Sequence, residues 1–240
     1  MRFLDLQRLR KVARTGREVF RRAFPPEVPK LRQPLPGGFQ PYNYTLPDRY
    51  PWLFEFARAQ LRDRPALRIL SFGCSRGDEV FALRGYFPDA DIKGLDVDPD
   101  NIAHCLARTR AQRAAGLAFS TAATTQAEPT QFYDAIFCLA VLCHGDLTTL
   151  GAQSCDPPLR FAEFERAVAE FARCLRPGGL LLLHTTNFRF CDTAVVADFD
   201  AVLDAEPEQL AHDVLFDRDN RLMPGVRYRE VAFRKREPGT

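Results

Sequence analysis

The chain has no uninterrupted apolar run approaching the eighteen or so residues a membrane-crossing helix needs, so no transmembrane segment is expected. It has little net charge, since 33 lysines and arginines stand against 31 aspartates and glutamates. No Cys-x-x-Cys pair occurs among its 7 cysteines, an odd number scattered through apolar stretches. Neither zinc spacing nor a secreted disulfide framework is present; reduced core thiols, a cytoplasmic location and no metal are the expectation. The opening MRFLDLQRLRK lacks the continuous apolar core of a secretory signal. What is there, 46% hydrophobic residues over 240 positions, excludes disorder and fits one globular domain with a small appendage.

The near-neutral total conceals an arrangement. Residues 2–22 hold eight basic and two acidic side chains, and residues 227–240 are also basic, which leaves the body mildly acidic. Leu6, Leu9, Val12, Ala13 and Phe20 fall on one helical face, so residues 1–24 read as a basic amphipathic helix. Such a helix suits an anionic partner, whether membrane surface, RNA or acidic protein, or else lies on the acidic body. Residues 25–52 contain eight prolines and Gly37-Gly38, too many breakers for regular structure. Tyr42, Tyr44, Tyr50 and Trp52 in this segment are costly to leave in water, so it is expected to pack over something, Tyr42, Tyr44 and Trp52 against a pocket or against the domain itself.

From residue 53 to 240 the pattern becomes alternating helices and short apolar strands. Strands are expected at 67–72, 91–96, 117–121, 133–139 and 180–184, and helices at 53–61, 78–86, 99–114 and 161–175. This order implies a Rossmann-like α/β fold, a mostly parallel sheet with helices on both faces. Val214–Phe216 and Val226–Phe233 read as a C-terminal antiparallel hairpin.

Chemistry concentrates after the first strand, in Ser71-Phe72-Gly73-Cys74-Ser75-Arg76-Gly77-Asp78-Glu79, a glycine turn opening a helix. Glycines there admit positive φ and close approach of a ligand, and the helix presents free N–H groups. Asp96, nineteen residues after Gly77 at the end of the next strand, stands where a carboxylate hydrogen-bonds both hydroxyls of a ribose. Ser75 replaces the glycine that makes room for a pyrophosphate, and Asp78-Glu79 at the helix start repel one. They suit a cationic amino group or sulfonium instead, and S-adenosylmethionine joins those groups to an adenosine.

With Phe132–Phe137 as the fourth strand and Leu175-Arg176-Pro177-Gly178-Gly179-Leu180 before the fifth, the chain from Leu53 onward resembles the class I S-adenosylmethionine-dependent methyltransferases. In that turn Pro177 stops a helix, and Gly178 and Gly179 are expected to supply a left-handed exit. The glycine-turn variant is similar to that of the chemotaxis-receptor methyltransferases, without their separate N-terminal helical domain. The resemblance implies methyl transfer to an acceptor, with a small molecule or protein side chain favoured. Gly73, Cys74, Ser75, Gly77, Asp78 (or Glu79), Asp96, Val97, Leu139 and Ala140 are the implied cofactor residues, and Cys138 to Ala140 would line the reacting end. Two family features are missing: an acidic or amide side chain after strand three (Ser120-Thr121-Ala122-Ala123), and an Asn-Pro-Pro-Tyr signature after strand four. The second absence argues against DNA bases and glutamine as acceptors.

His144, just past strand four, is the expected catalytic base where the acceptor needs one, with His184 second. Residues 145–158 are long enough for a substrate lid. Two other functions fit parts of the pattern: a non-catalytic S-adenosylmethionine binder, and a serine hydrolase, since Gly73-Cys74-Ser75-Arg76-Gly77 matches a nucleophile elbow that His184 or His212 would serve.

Overall fold

The structure is a computed structural model that describes residues 31–210 and 214–237. The expected basic helix at 1–24 and His212 lie outside the described residues. From Gln33 onward the chain forms one compact unit, so the latter part of the proline-rich segment belongs with the sheet.

That segment, residues 33–50, runs as an irregular strap into α1 (Pro51–Leu61), whose first position is a proline that needs no intrahelical partner. Leu53, Phe54, Ala57 and Leu61 put a buried stripe on α1. Then follow β1 (Arg68–Phe72), α2 (Asp78–Tyr86), β2 (Asp91–Asp96), α3 (Pro99–Gln112), β3 (Leu117–Thr121) and β4 (Tyr133–Leu139). A short α4 (Gly145–Leu150) precedes α5 (Phe161–Cys174), β5 (Leu175–His184), β6 (Phe199–Asp204) and β7 (Glu230–Lys235). The seven strands make one sheet in the order β3-β2-β1-β4-β5-β7-β6, with β7 antiparallel to both neighbours. All seven residues of β4 are buried, as expected of a central strand covered on both faces. On α5, Phe161, Phe164, Val168 and Phe171 recur at helical spacing and are all buried.

Two expectations need correction. The antiparallel partner of the last strand is β6, not 214–216; Phe216 makes only an isolated bridge to Leu222. Asp200 and Asp204 break the apolar signal of β6, which an edge strand tolerates. Strand five starts at Leu175 and bulges against β4 before regular pairing at Leu180. Gly178 alone takes the left-handed conformation there (φ +69), and Gly179 does not. The bulge holds Arg176 against the buried Asp134, 3.0 Å away, while Arg64 reaches the same carboxylate at 3.4 Å. Asp134 also accepts the Arg68 N–H at 2.9 Å, tying the starts of β1, β4 and β5 together at the edge opposite the glycine turn.

Candidate functional site

Parallel strands bring the ends of β1, β2, β3 and β4 to one edge, where loops diverge and leave a crevice. A cavity of about 260 Å³ occupies that edge. Its floor is the turn after β1 (Gly73, Cys74, Ser75) with Glu79 of α2, the end of β2 (Asp96, Val97, Asp98), Ala122 and Ala123 after β3, and Leu139, Ala140 and Val141 after β4. Its roof is the strap, including Phe39, Gln40, Tyr42, Tyr44, Arg49 and Tyr50.

The turn is shaped by backbone. Gly73, Ser75 and Gly77 all have positive φ, at +73, +48 and +85. At Gly73 the need is steric as well, since a Cβ would stand 2.4 Å from a methyl of Val141. The N–H groups of Gly73 and Cys74 both donate to the Leu95 carbonyl, at 2.8 and 2.9 Å, so the turn is pinned across to β2. The Ser75 N–H donates to Asp96 Oδ2 at 2.7 Å. Asp96 Oδ1 accepts from the Asp98 N–H at 2.9 Å and from Asn101 Nδ2 at 3.0 Å. With three of about four acceptor positions filled, Asp96 organises the floor and keeps room for one further donor. It is only 7% exposed.

Of the two acids opening α2, Asp78 turns away and pairs with Arg108 at 2.6 Å, without lining the cavity. Glu79 faces in. Ser71 Oγ donates to its Oε1 at 2.7 Å, and burial pushes its carboxyl up to about 7, with Ser71 and the charge of Arg49 pulling the other way. Ser71 is thus the visible marker of Glu79: a hydroxyl inside β1 that needs a partner from the helix. Cys74 lines the cavity as a buried thiol whose pKa is raised by its contact with Cys105 and by burial, which does not suit a nucleophile. Gly77 caps α2 without lining the cavity, and Cys138 is fully buried behind Leu139.

The expected bases are elsewhere. His144 is 0% exposed and does not line the cavity; its N–H donates to Asn187 Oδ1 at 2.7 Å. Position in sequence put it past β4, but the chain turns inward there to start α4. His184 is locked by Gln209 O on Nε2 and Thr185 Oγ1 on Nδ1, both at 2.8 Å, and burial lowers its pKa. His104 is exposed on α3. Among the described residues no histidine meets Ser75, whose buried hydroxyl has no hydrogen-bond partner there. Nor does 145–158 cover the cavity; it forms α4 and a bridge at Ser154 to Arg221.

The roof was missed as a binding element in all but its aromatics. Asn43 and Asn101 exchange amide hydrogen bonds at 2.9 and 3.3 Å, and Asn43 reaches Asp98 at 3.3 Å. Tyr42 bonds Asp146, Gln40 Nε2 meets Cys143 Sγ at 3.1 Å, and Tyr86 donates to Asp48 at 2.8 Å. Tyr42 and Tyr44 line the cavity, whereas Trp52 packs edge-on against His184, 5.7 Å between centroids. Two buried acceptors on cavity residues, Ser75 Oγ and Gln40 Oε1, have no partner in the protein. Together with an acidic floor and the single open position on Asp96, they fit a ligand carrying hydroxyls and a cationic amino group, as S-adenosylmethionine does.

Residues 70–181 match a family model described as a methyltransferase domain. The uncharacterized phycocyanin operon protein W of Pseudanabaena tenuis is 35% identical over 92 residues, 38% of this chain and 76% of that one. Among solved structures, the YcgJ protein of Bacillus subtilis aligns at 18% identity and TM-score 0.43 over 56% of this chain and 50% of its own. The [4+2]-cyclase SpnF aligns at 21% and 0.42 over 55% and 43%, and a geranyl diphosphate methyltransferase in complex with S-adenosylmethionine at 16% and 0.41 over 55% and 47%. The chain thus spans half or less of the length of these structures. The family match gives residues 70–181 a methyltransferase domain of the S-adenosylmethionine-dependent kind, with S-adenosylmethionine as its cofactor.

Proposed function

We propose that the chain transfers a methyl group to a small-molecule or protein acceptor that reaches the cavity as a ready nucleophile. The observation that carries this is the cavity itself, which joins the glycine turn, the carboxylate ending β2 and an inward glutamate at one sheet edge. S-adenosylmethionine, when bound, supplies a methyl group already activated on a sulfonium. Gly73, Cys74 and Ser75 would shape its amino-acid end, Glu79 would accept its ammonium, and Asp96 would take one ribose hydroxyl, with Val97, Leu139 and Ala140 as apolar walls. Ala122 and Ala123 offer no side-chain polar group, so recognition of an adenine there rests on backbone.

No imidazole lines the cavity among the described residues. The protein's part in the reaction is then placement and exclusion of water: the floor fixes the donor, and the strap closes over it. This favours acceptors that are nucleophilic without deprotonation by the enzyme.

Calorimetry is expected to give micromolar affinity for S-adenosylhomocysteine, weakened at least tenfold in Asp96→Ala. Asp96→Asn, which keeps one carbonyl oxygen for the loop N–H groups, separates loss of the ribose contact from loss of the loop. Unchanged affinity in both variants would reject the site. Incubating a cell lysate with methyl-labelled cofactor and fractionating by size then assigns the acceptor class; cofactor binding without any labelling would make the chain a non-catalytic binder.

A further inference from the structure

Between β5 and β7 the sheet opens. Their antiparallel ladder runs from Leu180 and Arg234 to Leu182 and Ala232, and it stops two residues short of His184, where β5 ends, and of Glu230, where β7 begins. A wedge-shaped cavity of about 260 Å³ fills the gap and shares no lining residue with the cofactor cavity. Beyond His184 the chain turns aside at Thr185, whose φ of +58 is one that a β-branched residue rarely takes. Its hydroxyl holds that turn by donating to His184 Nδ1 at 2.8 Å. The direction follows from the other side of the ring, because the Gln209 carbonyl can only accept, so Nε2 carries the proton and Nδ1 the lone pair. Burial also lowers the pKa of this imidazole, which is neutral with both nitrogens taken.

The charges that line the wedge are then Glu230 and Arg227. Arg227 is exposed at the mouth, where water screens it, whereas Glu230 is half-buried and sets the sign of the interior. Tyr228 donates to Glu230 Oε2 at 2.6 Å, which leaves Oε1 open, and no cation stands within 4.0 Å of this carboxylate among the described residues. Burial and the carboxylate push the Tyr228 phenol up, so it stays a donor. The hydroxyls of Thr185 and Thr186 are committed, one to His184 and the other to the Phe188 carbonyl at 2.6 Å, so the interior has no free side-chain donor for an anion. Leu183, Leu210, Leu215 and Val231 make the remaining walls apolar. A carboxylate with an oxygen in reserve, set among apolar walls, matches an ammonium on an apolar body. We propose that the wedge is a second ligand site, for a small organic amine bound as its cation with the ammonium on Glu230.

The test titrates 2-phenylethylamine, a cation at neutral pH, into the full chain by ligand-observed NMR, beside 2-phenylethanol, which has the same body without the charge. Wild type is expected to bind the amine with a Kd of about 1 mM or below and the alcohol about tenfold more weakly. Glu230→Gln should weaken the amine about tenfold and leave the alcohol unchanged. Val226→Trp fills the exposed mouth of the wedge and should block both, which keeps the test open should Glu230→Gln not fold. Glu79→Gln, in the cofactor cavity, should leave the amine's affinity as it is. The proposal is overturned if the amine fails to bind wild type, if the alcohol binds as tightly, if either wedge variant, once folded, leaves the amine's affinity unchanged, or if Glu79→Gln removes it. None of these results depends on S-adenosylhomocysteine, so rejection of the cofactor reading and rejection of the wedge are separate outcomes.

Discussion

The floor and the roof of the cavity are made of different material. The floor is strand ends and the turns between them, held by short hydrogen bonds from backbone N–H groups, those of Gly73 and Cys74 to the Leu95 carbonyl and that of Ser75 to the Asp96 carboxylate. The roof is a proline-rich strap without helix or strand, held by side chains: Asn43 to Asn101, Tyr42 to Asp146, Gln40 to Cys143. Backbone held on both sides can preorganise a ligand site, while isolated side-chain contacts let a segment leave and return without disturbing the core. The floor is therefore where affinity should be set, and the roof where access should be.

The largest expected effect breaks the floor. Gly73→Ala places a Cβ against Val141 at a φ that disfavours any side chain, and it should abolish detectable S-adenosylhomocysteine binding in calorimetry while destabilising the fold by roughly 2–4 kcal/mol. Next comes Glu79→Gln, expected to weaken S-adenosylhomocysteine about tenfold or more yet raise the melting temperature of the unliganded protein. The folded protein holds the Glu79 proton up to about 7, against 4.5 for a free carboxyl. This group's contribution to stability is therefore highest below 4.5, declines as pH rises to about 7 and is flat above. Removing the charge should gain about 1–2 kcal/mol at pH 8 and flatten that slope in thermal melts. A cationic amino group favours the ionised form, so wild-type affinity for S-adenosylhomocysteine should fall as pH drops below 7, and Glu79→Gln should lose that dependence. The smallest effect tests the roof: Asn43→Ala is expected to shift affinity only two- to fivefold, mostly by faster release in stopped-flow, with a stability change under about 1 kcal/mol. If Asn43→Ala proved as damaging as Gly73→Ala, the division between floor and roof would be wrong.

That division also separates what could be read in the sequence from what could not. The turn, Asp96 and the run Leu139-Ala140 announce themselves because backbone geometry restricts residue type: glycines where φ is positive, an acid where a strand ends, an apolar run where a strand is covered on both faces. The choice between Asp78 and Glu79 was not legible, since adjacent helical residues differ by about 100° in direction and only the packed α2 decides which one faces inward. His144 misled for the same reason: its position past β4 is correct, but the direction of the chain into α4 buries it. The strap was recognisable by its prolines, yet its partners Asn101, Cys143, Asp146 and Thr185 lie far along the chain and leave no local pattern. In β6, Asp200 and Asp204 at an edge hid a strand that pairs with β7.

The distances along the chain that made the strap illegible also set an order of events. Gln40 meets a partner 103 residues ahead of it, and Tyr50 one 135 ahead. Such contacts cannot form until β4 and β5 have joined the sheet, although the strap leaves the ribosome before any of those strands. The Gln40 and Tyr50 contacts of the roof are thus completed only once β4 and β5 are in place, by the part of the compact unit that is synthesised first. Held by such contacts, the strap should open more readily than the strands beneath it, which makes it the expected unit of local opening.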